Sequence, residues 1–271
     1  MRTLSHYRAG LWHPYEKPMY GALLNPYHPL AQGLIGCWLF NEGGGNTVFD
    51  LSQYMHHGSI NGATWTIEKF GSILSFDGTD DYIEVPDQNQ ELAPDSLTFA
   101  ARIKVSGFVE NDRIVTKKTN LNWDASTGWS LELNIEEKMT FLGSGGTYGD
   151  KLSMGWQQDK WFFVAVTKES GATTVKGYLD GQYKDNQACD TISPNAQPLA
   201  LAVYQTQYTP IIYSEVYIYN RALSAEEIWQ LYTDPFCMFY HSLEAEVLYA
   251  VAPPAGIVPQ AMHHYRMMRE V

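Results

Sequence analysis

The feature that most narrows the fold of this chain is the spacing of its apolar segments. From Gly33 to about Asn220 nothing repeats at the 3.6-residue period of a long helix; short β-type runs alternate with Gly, Asn and Asp turns instead. Strands are expected at 33–40, 72–76, 82–85, 97–105, 113–118, 129–135, 138–143, 160–169, 174–180, 199–203 and 215–220. That many short strands with turn signals between them indicate an antiparallel sandwich or barrel. In 129–135, Leu131, Leu133 and Ile135 alternate with Ser130, Glu132 and Asn134, which predicts one buried and one wet face. Residues 161–166 are apolar throughout, as in a central strand covered on both sides. Asp180-Gly181 reads as a two-residue hairpin turn with positive φ at both positions. Trp38, Trp65, Trp129 and Trp161 fall on strands or their edges and are expected in the core.

One helix follows the last strand. Ser224 is its expected N-cap, Glu227 completes a capping box, Ile228, Leu231 and Tyr232 form an apolar face, and Pro235 stops the chain. Outside this unit, residues 1–32 and 236–271 are proline-broken and aromatic or apolar, and read as extended arms that pack on their own domain or a neighbour. The domain itself is expected at 33–235.

Composition excludes several roles. With 18 Lys and Arg against 30 Asp and Glu, the net charge is -12, and the excess acid lies within the sandwich. Phosphate-backbone binding and docking on anionic membranes are both disfavoured. No segment reads as a membrane span or a signal peptide, so synthesis in the cytoplasm is expected. Cys37, Cys189 and Cys237 show no metal spacing and are expected to be small buried hydrophobes.

The central motifs are familiar. GLIGCWLFNEGGGN (33–46), FDLS (49–52), HHG (56–58), KFGSILSFDGTDDYIEVPD (69–87), LTFAARIK (97–104), DKWFFVAVTKESG (159–171), YLDGQ (178–182) and EVYIYNRALSAEEIWQLY (215–232) resemble the laminin-G-like family of concanavalin A-type jelly rolls. The resemblance implies an all-β, antiparallel two-sheet jelly-roll sandwich with one short C-terminal helix. Many relatives hold a structural calcium ion near the paired first and last strands. Their usual Asp-Glu-Val is Ser214-Glu215-Val216 here, and Gln53-Tyr54-Met55-His56 replaces a Gly/Asn-rich turn. Glu42 and Glu215 remain as possible oxygen ligands, but no cofactor or metal is expected. Asp77, Asp80 and Asp81 serve either a turn or an ion. The flanks NPYHPLAQG (25–33) and DPFCMFY (234–240) resemble laminin-G-like reading frames of bacteriophage structural gene clusters, which implies a virion location and partners among virion proteins or further copies of the chain.

The fold hosts hydrolases, lectins and structural modules, so function rests on sites. A glycosidase needs two carboxylates about 5 to 9.5 Å apart across a cleft. Glu132-x-Asn134-x-Glu136 resembles the Glu-x-Asp-x-Glu of jelly-roll glucanases with the middle Asp replaced, and a non-enzymatic module is expected. No HExxH or Gly-x-Ser-x-Gly occurs, and His263-His264 reads as tail. A lectin needs exposed aromatics beside planar polar groups. Two loops offer them, one with Asn122, Trp123 and Asp124 and one with Tyr148 and Trp156. These residues are the candidate carbohydrate-binding set, and a cell-surface glycan is a candidate partner. A free-standing lectin is the alternative to a virion decoration protein.

Overall fold

The short segments pair antiparallel throughout the computed structural model, which describes residues 17–118, 127–144 and 151–240. In chain order the strands are β1 (Leu34–Trp38), β2 (Thr47–Val48), β3 (Gly58–Asn61), β4 (Thr64–Glu68), β5 (Gly71–Ser75), β6 (Tyr82–Val85), β7 (Leu97–Val105), β8 (Arg113–Lys118) and β9 (Gly128–Asn134). They continue as β10 (Lys138–Leu142), β11 (Leu152–Ser153), β12 (Trp161–Lys168), β13 (Thr174–Leu179), β14 (Gln182–Ala188), β15 (Leu199–Leu201), β16 (Val203–Tyr204), β17 (Gln207–Tyr208) and β18 (Ile211–Tyr219), followed by helix α1 (Ala225–Thr233).

Two eight-stranded sheets result. Sheet one runs β14-β13-β12-β7-β18-β5-β4, with β1 also paired to β18; sheet two runs β11-β10-β9-β8-β15-β6-β3-β2. Strands β5 and β1 share one edge of β18. Ile212 and Tyr213 pair with β5, while Val216 to Tyr219 pair with β1. The 180–181 turn forms as expected, with φ of 49° at Asp180 and 75° at Gly181 between β13 and β14.

Two apolar cores make the sandwich three layers deep. The first lies between the sheets and holds Trp38, Phe99, Trp129, Leu131, Leu133 and Ile218, all at most 1% exposed. The second lies on the far side of sheet one, where Cys37, Phe163, Tyr217 and Tyr219 meet Ile228 and Leu231 of α1. Sheet one is thus covered on both faces, which explains the unbroken apolar run 161–166. The helix forms as expected: Ser224 accepts from the Glu227 amide and the Glu227 side chain reaches back to the cap.

Two expectations need correction. Trp65 and Trp161 are half-buried, as are Cys189 and Cys237; all three cysteines are free thiols. The described parts of the arms next to the domain pack on it. Leu30, Phe236, Met238 and Phe239 are at most 4% exposed in the second core, and Leu24 bridges Phe239 across the two ends. Apolar side chains there complete the cover of sheet one that α1 is too short to supply. Finally, the supposedly wet face of β9 is closed: Ser130, Glu132 and Asn134 are each 0% exposed.

Candidate functional site

The closed polar face of sheet two is built by alternation. Leu131 and Leu133 enter the first core, so Ser130, Glu132 and Asn134 point away from it. Register sets Thr116 and Leu142 on either side of Ser130, and Arg113 and Thr140 on either side of Glu132. The Arg113 guanidinium lies 2.9 Å from the Glu132 carboxylate and 4.2 Å over the ring of Tyr204. Asn134 Nδ2 donates to Thr140 Oγ1 at 2.8 Å. Thr116 Oγ1, Ser130 Oγ and Asn134 Oδ1 are buried with no hydrogen-bond partner. Orphaned buried polar atoms are rare in folded chains.

The glucanase-like motif is taken apart by its own hairpin. Glu136 and Glu137 both have φ of 59° in the turn between β9 and β10, so Glu136 leaves the strand face. Its carboxylate is 68% exposed and pairs with Lys138, whereas that of Glu132 is locked to Arg113. The two carboxylates do not face each other across a cleft.

Both candidate sugar loops spring from one end of this sheet. Lys118 pairs with Gly128 at the root of the first, and Leu142 with Ser130 at the root of the second. Segment 190–195 runs beside both roots, where the Gly128 and Ser144 amides donate to the carbonyls of Ser193 and Thr191. Asn122, Trp123, Asp124 and Tyr148 lie outside the described residues, as do His263 and His264. Trp156 does not belong to the set. It is 2% exposed, with ring neighbours Phe108 at 5.1 Å and Phe162 at 6.1 Å, and its Nε1 donates to the Lys138 carbonyl. No face of that ring is free for a sugar.

Two polar clusters escaped the sequence reading. His56 places Nε2 3.0 Å from Glu91 and 3.9 Å from Asp87, and Nδ1 3.0 Å from the Ile35 carbonyl and 3.7 Å from Asp50. Burial opposes its charge, yet Asp50, the Ile35 carbonyl and Glu91 together raise its pKa above the usual histidine value. His56, Asp87 and Glu91 are close enough to share a metal ion, but the ammonium of Lys117 already sits 3.0 Å from Asp87. The motif FDLS…HHG was visible in the sequence; its link to Asp87 and Lys117 depends on long-range pairing. At 77–81 the turn forms, with the Asp77 carboxylate accepting from the Thr79 amide and that of Asp81 from the Asp77 amide, and the carboxylates of Asp77, Asp80 and Asp81 are also close enough to share an ion.

The second cluster centres on Lys17. Its ammonium donates to the carbonyls of Ser72 at 2.5 Å and Ser214 at 2.6 Å, with the carboxylates of Glu42 and Glu215 nearby. Burial lowers its pKa to about 8, against the opposing pull of Glu215 and Glu42, so it is protonated at neutral pH. Glu215 is held by Arg102 at 2.8 Å. These are the residues left by the resemblance as oxygen ligands for calcium. Calcium takes six to eight oxygens, and here two carbonyls that would face it are spent on Lys17. The residues present do not fit the ion while Lys17 is seated.

The laminin-G family model described as the concanavalin A-like lectin/glucanases superfamily matches residues 77–229, more than half of the chain. No curated protein matches by sequence. Among solved structures, domain 4 of the extracellular arabinanase AbnA from Geobacillus stearothermophilus, in complex with arabinotriose, superposes with a TM-score of 0.58 at 15% identity, covering 73% of this chain and 97% of that one. Trypanosoma rangeli sialidase in complex with sialic acid gives 0.58 at 16% identity over 80% of this chain, which spans 36% of the sialidase. The receptor-binding domain of botulinum neurotoxin C/D mosaic serotype gives 0.55 at 16% identity over 74% of this chain, which spans 51% of that chain. At these identities the structural likeness concerns the fold. With its two antiparallel sheets and the family match over strands β6 to β18, the chain belongs to the concanavalin A-like lectin/glucanases superfamily.

Proposed function

We propose that this chain is a non-enzymatic carbohydrate-binding module whose site lies at the loop end of sheet two. The observation that carries the reading is that both candidate loops are rooted at one end of sheet two, at the Lys118–Gly128 and Ser130–Leu142 pairs. Sugar sites combine a few fixed polar groups with an aromatic platform. The loops rooted there carry Asn122, Trp123, Asp124 and Tyr148. The match to an arabinanase domain in complex with arabinotriose supports the same class of ligand. Separation of Glu132 from Glu136 favours binding over hydrolysis.

The test is a glycan array that includes arabino-oligosaccharides, probed with the full-length chain, followed by mass analysis of the bound glycan. Specific binding without cleavage is expected, and Trp123→Ala should weaken it by about tenfold or more, the scale of one lost stacking contact. Affinity unchanged in that variant moves the site elsewhere; silence across the array removes the reading.

We further propose that the module is displayed on a virion through its two ends. Leu24 and Phe239 bridge, and the Asn25 amide donates to the Met238 carbonyl, so both ends leave the fold from one side of sheet one. One partner surface can then engage both. A chain cut to 17–240 should lose association with the particle while retaining glycan binding; association that survives the cut refutes the proposal.

A further inference from the structure

The oxygens around Lys17 are an arrangement that the fold creates and the glycan reading does not use. Along the edge of β18, pairing with β5 ends at Tyr213 and pairing with β1 begins at Val216. Ser214 is also the extra residue of a β-bulge, because β7 pairs Tyr213 with Ile103 and Glu215 with Arg102. A bulge residue is left out of the ladder and can be re-aimed. The Ser214 carbonyl is turned over to Lys17, as is the carbonyl of Ser72.

The side chains there are under-used in the same way. Glu42 Oε2, Ser72 Oγ, Ser214 Oγ and Glu215 Oε2 are all buried without a hydrogen-bond partner, and Ser214 and Glu215 are at most 1% exposed. Glu42 spends its other oxygen on the Phe49 amide at 2.7 Å, and Glu215 spends its other on Arg102. Arg102 balances one of the two carboxylates. The remaining negative charge is balanced by Lys17.

We propose that this cage is a cation site which the chain fills with its own ammonium, so that the segment starting at Lys17 and a free hard divalent cation compete for it. Hard divalent ions seek carboxylate, carbonyl and hydroxyl oxygens, and the cage holds all three kinds. A tethered ammonium has the advantage of effective concentration, which for a short tether is in the millimolar range or above. Its anchor is local: the Pro18 carbonyl accepts from Asn41 Nδ2 at 2.8 Å, one residue before Glu42. The structural calcium implied by the family resemblance is thereby replaced by a side chain, and the same contact ties the N-terminal segment to the sheet.

The experiment compares the full-length chain with Lys17→Met by thermal melting and calorimetric titration, in calcium chloride and in chelator. The unaltered chain should melt at the same temperature in both. Lys17→Met should melt lower in chelator, recover in millimolar calcium, and bind calcium about tenfold or more tightly than the unaltered chain. The proposal is overturned if the variant melts like the unaltered chain in chelator, if calcium does not restore it, or if calcium stabilises both chains equally. Should Lys17→Met be unfolded in chelator, refolding decides: native circular dichroism regained with calcium supports the cage, and failure with calcium overturns it. No glycan enters any of these readouts, so the outcome is independent of the proposed sugar site.

Discussion

Glu132 separates the glucanase-like reading of this chain from the structural one, because each assigns it a different cost. Its carboxylate and the Arg113 guanidinium are 0% and 1% exposed and 2.9 Å apart. Removing one member of such a pair strands a buried charge, at about 3–5 kcal/mol, whereas replacing both by apolar groups of similar volume is close to neutral. Glu132→Gln is therefore expected to lower the Tm by about 6–20 °C, at roughly 2–4 °C per kcal/mol for a chain of this size. Arg113→Met should cost a comparable amount, since it also surrenders the stacking over Tyr204. The double variant Arg113→Met/Glu132→Leu should be less destabilised than the sum of the singles by at least about 2 kcal/mol. Chemical denaturation of the four chains, followed by tryptophan fluorescence, measures the coupling. A catalytic carboxylate behaves differently: its removal abolishes turnover and leaves stability untouched or improved. If Glu132→Gln costs less than about 1 kcal/mol and the two changes add, the ion pair is not what Glu132 is for, and the hydrolase reading returns.

Other consequences of the geometry can be measured separately. His56 has a folded-state pKa raised above 6.5, so the stability it contributes is fully present below pH 6.5 and is lost as pH rises through the folded value; denaturation midpoints from pH 5.5 to 8.5 should show this fall, and His56→Gln should abolish it. Ser224→Ala removes one half of the capping box and should cost about 1 kcal/mol by urea denaturation, with no change in glycan affinity. At Gly181, φ is 75° and an added Cβ would stand 2.7 Å from the ring of Trp229, so Gly181→Val should destabilise by at least about 2 kcal/mol and disturb the docking of α1. A chain trimmed to 33–235 deletes Lys17, Leu24, Leu30, Met238 and Phe239 together; large buried apolar groups are worth about 2–5 kcal/mol each, against a total stability of about 5–15 kcal/mol. It is expected not to fold cooperatively, while 17–240 does, and a sharp thermal transition in the shorter chain would refute the placement of Leu24, Leu30, Met238 and Phe239 at the second core.

What the sequence disclosed follows the range over which its signals act. The strands expected at 82–85, 97–105 and 113–118 have the observed bounds, and the 180–181 turn and the Ser224 cap form, because each depends on side chains within a few positions. The short strands β2, β11, β16 and β17 carry two residues each, too few for alternation to register. The polar face of β9 shows a deeper limit. Alternation correctly sorted Leu131 and Leu133 from Ser130 and Glu132, but it reports which residues share a face and not whether that face meets water. Glu132 is tolerated in the interior because Arg113 lies opposite, and that pairing exists only once β8 and β9 are in register. Lys17 makes the same point over a longer span. Its partners Ser72 and Ser214 stand 55 and 197 residues away, and nothing near Lys17 in the sequence marks it as a residue that enters the fold. In both places a basic group met by local reading as surface or arm is the counter-charge that lets acidic residues of the sandwich be buried. A chain with a net charge of -12 has few cations to spend, and at least four of its 18, Lys17, Arg102, Arg113 and Lys117, are committed to buried carboxylates. Buried carboxylates such as Glu132 and Glu215 are thereby tied into the fold by counter-charges that reach them only once the strands are paired.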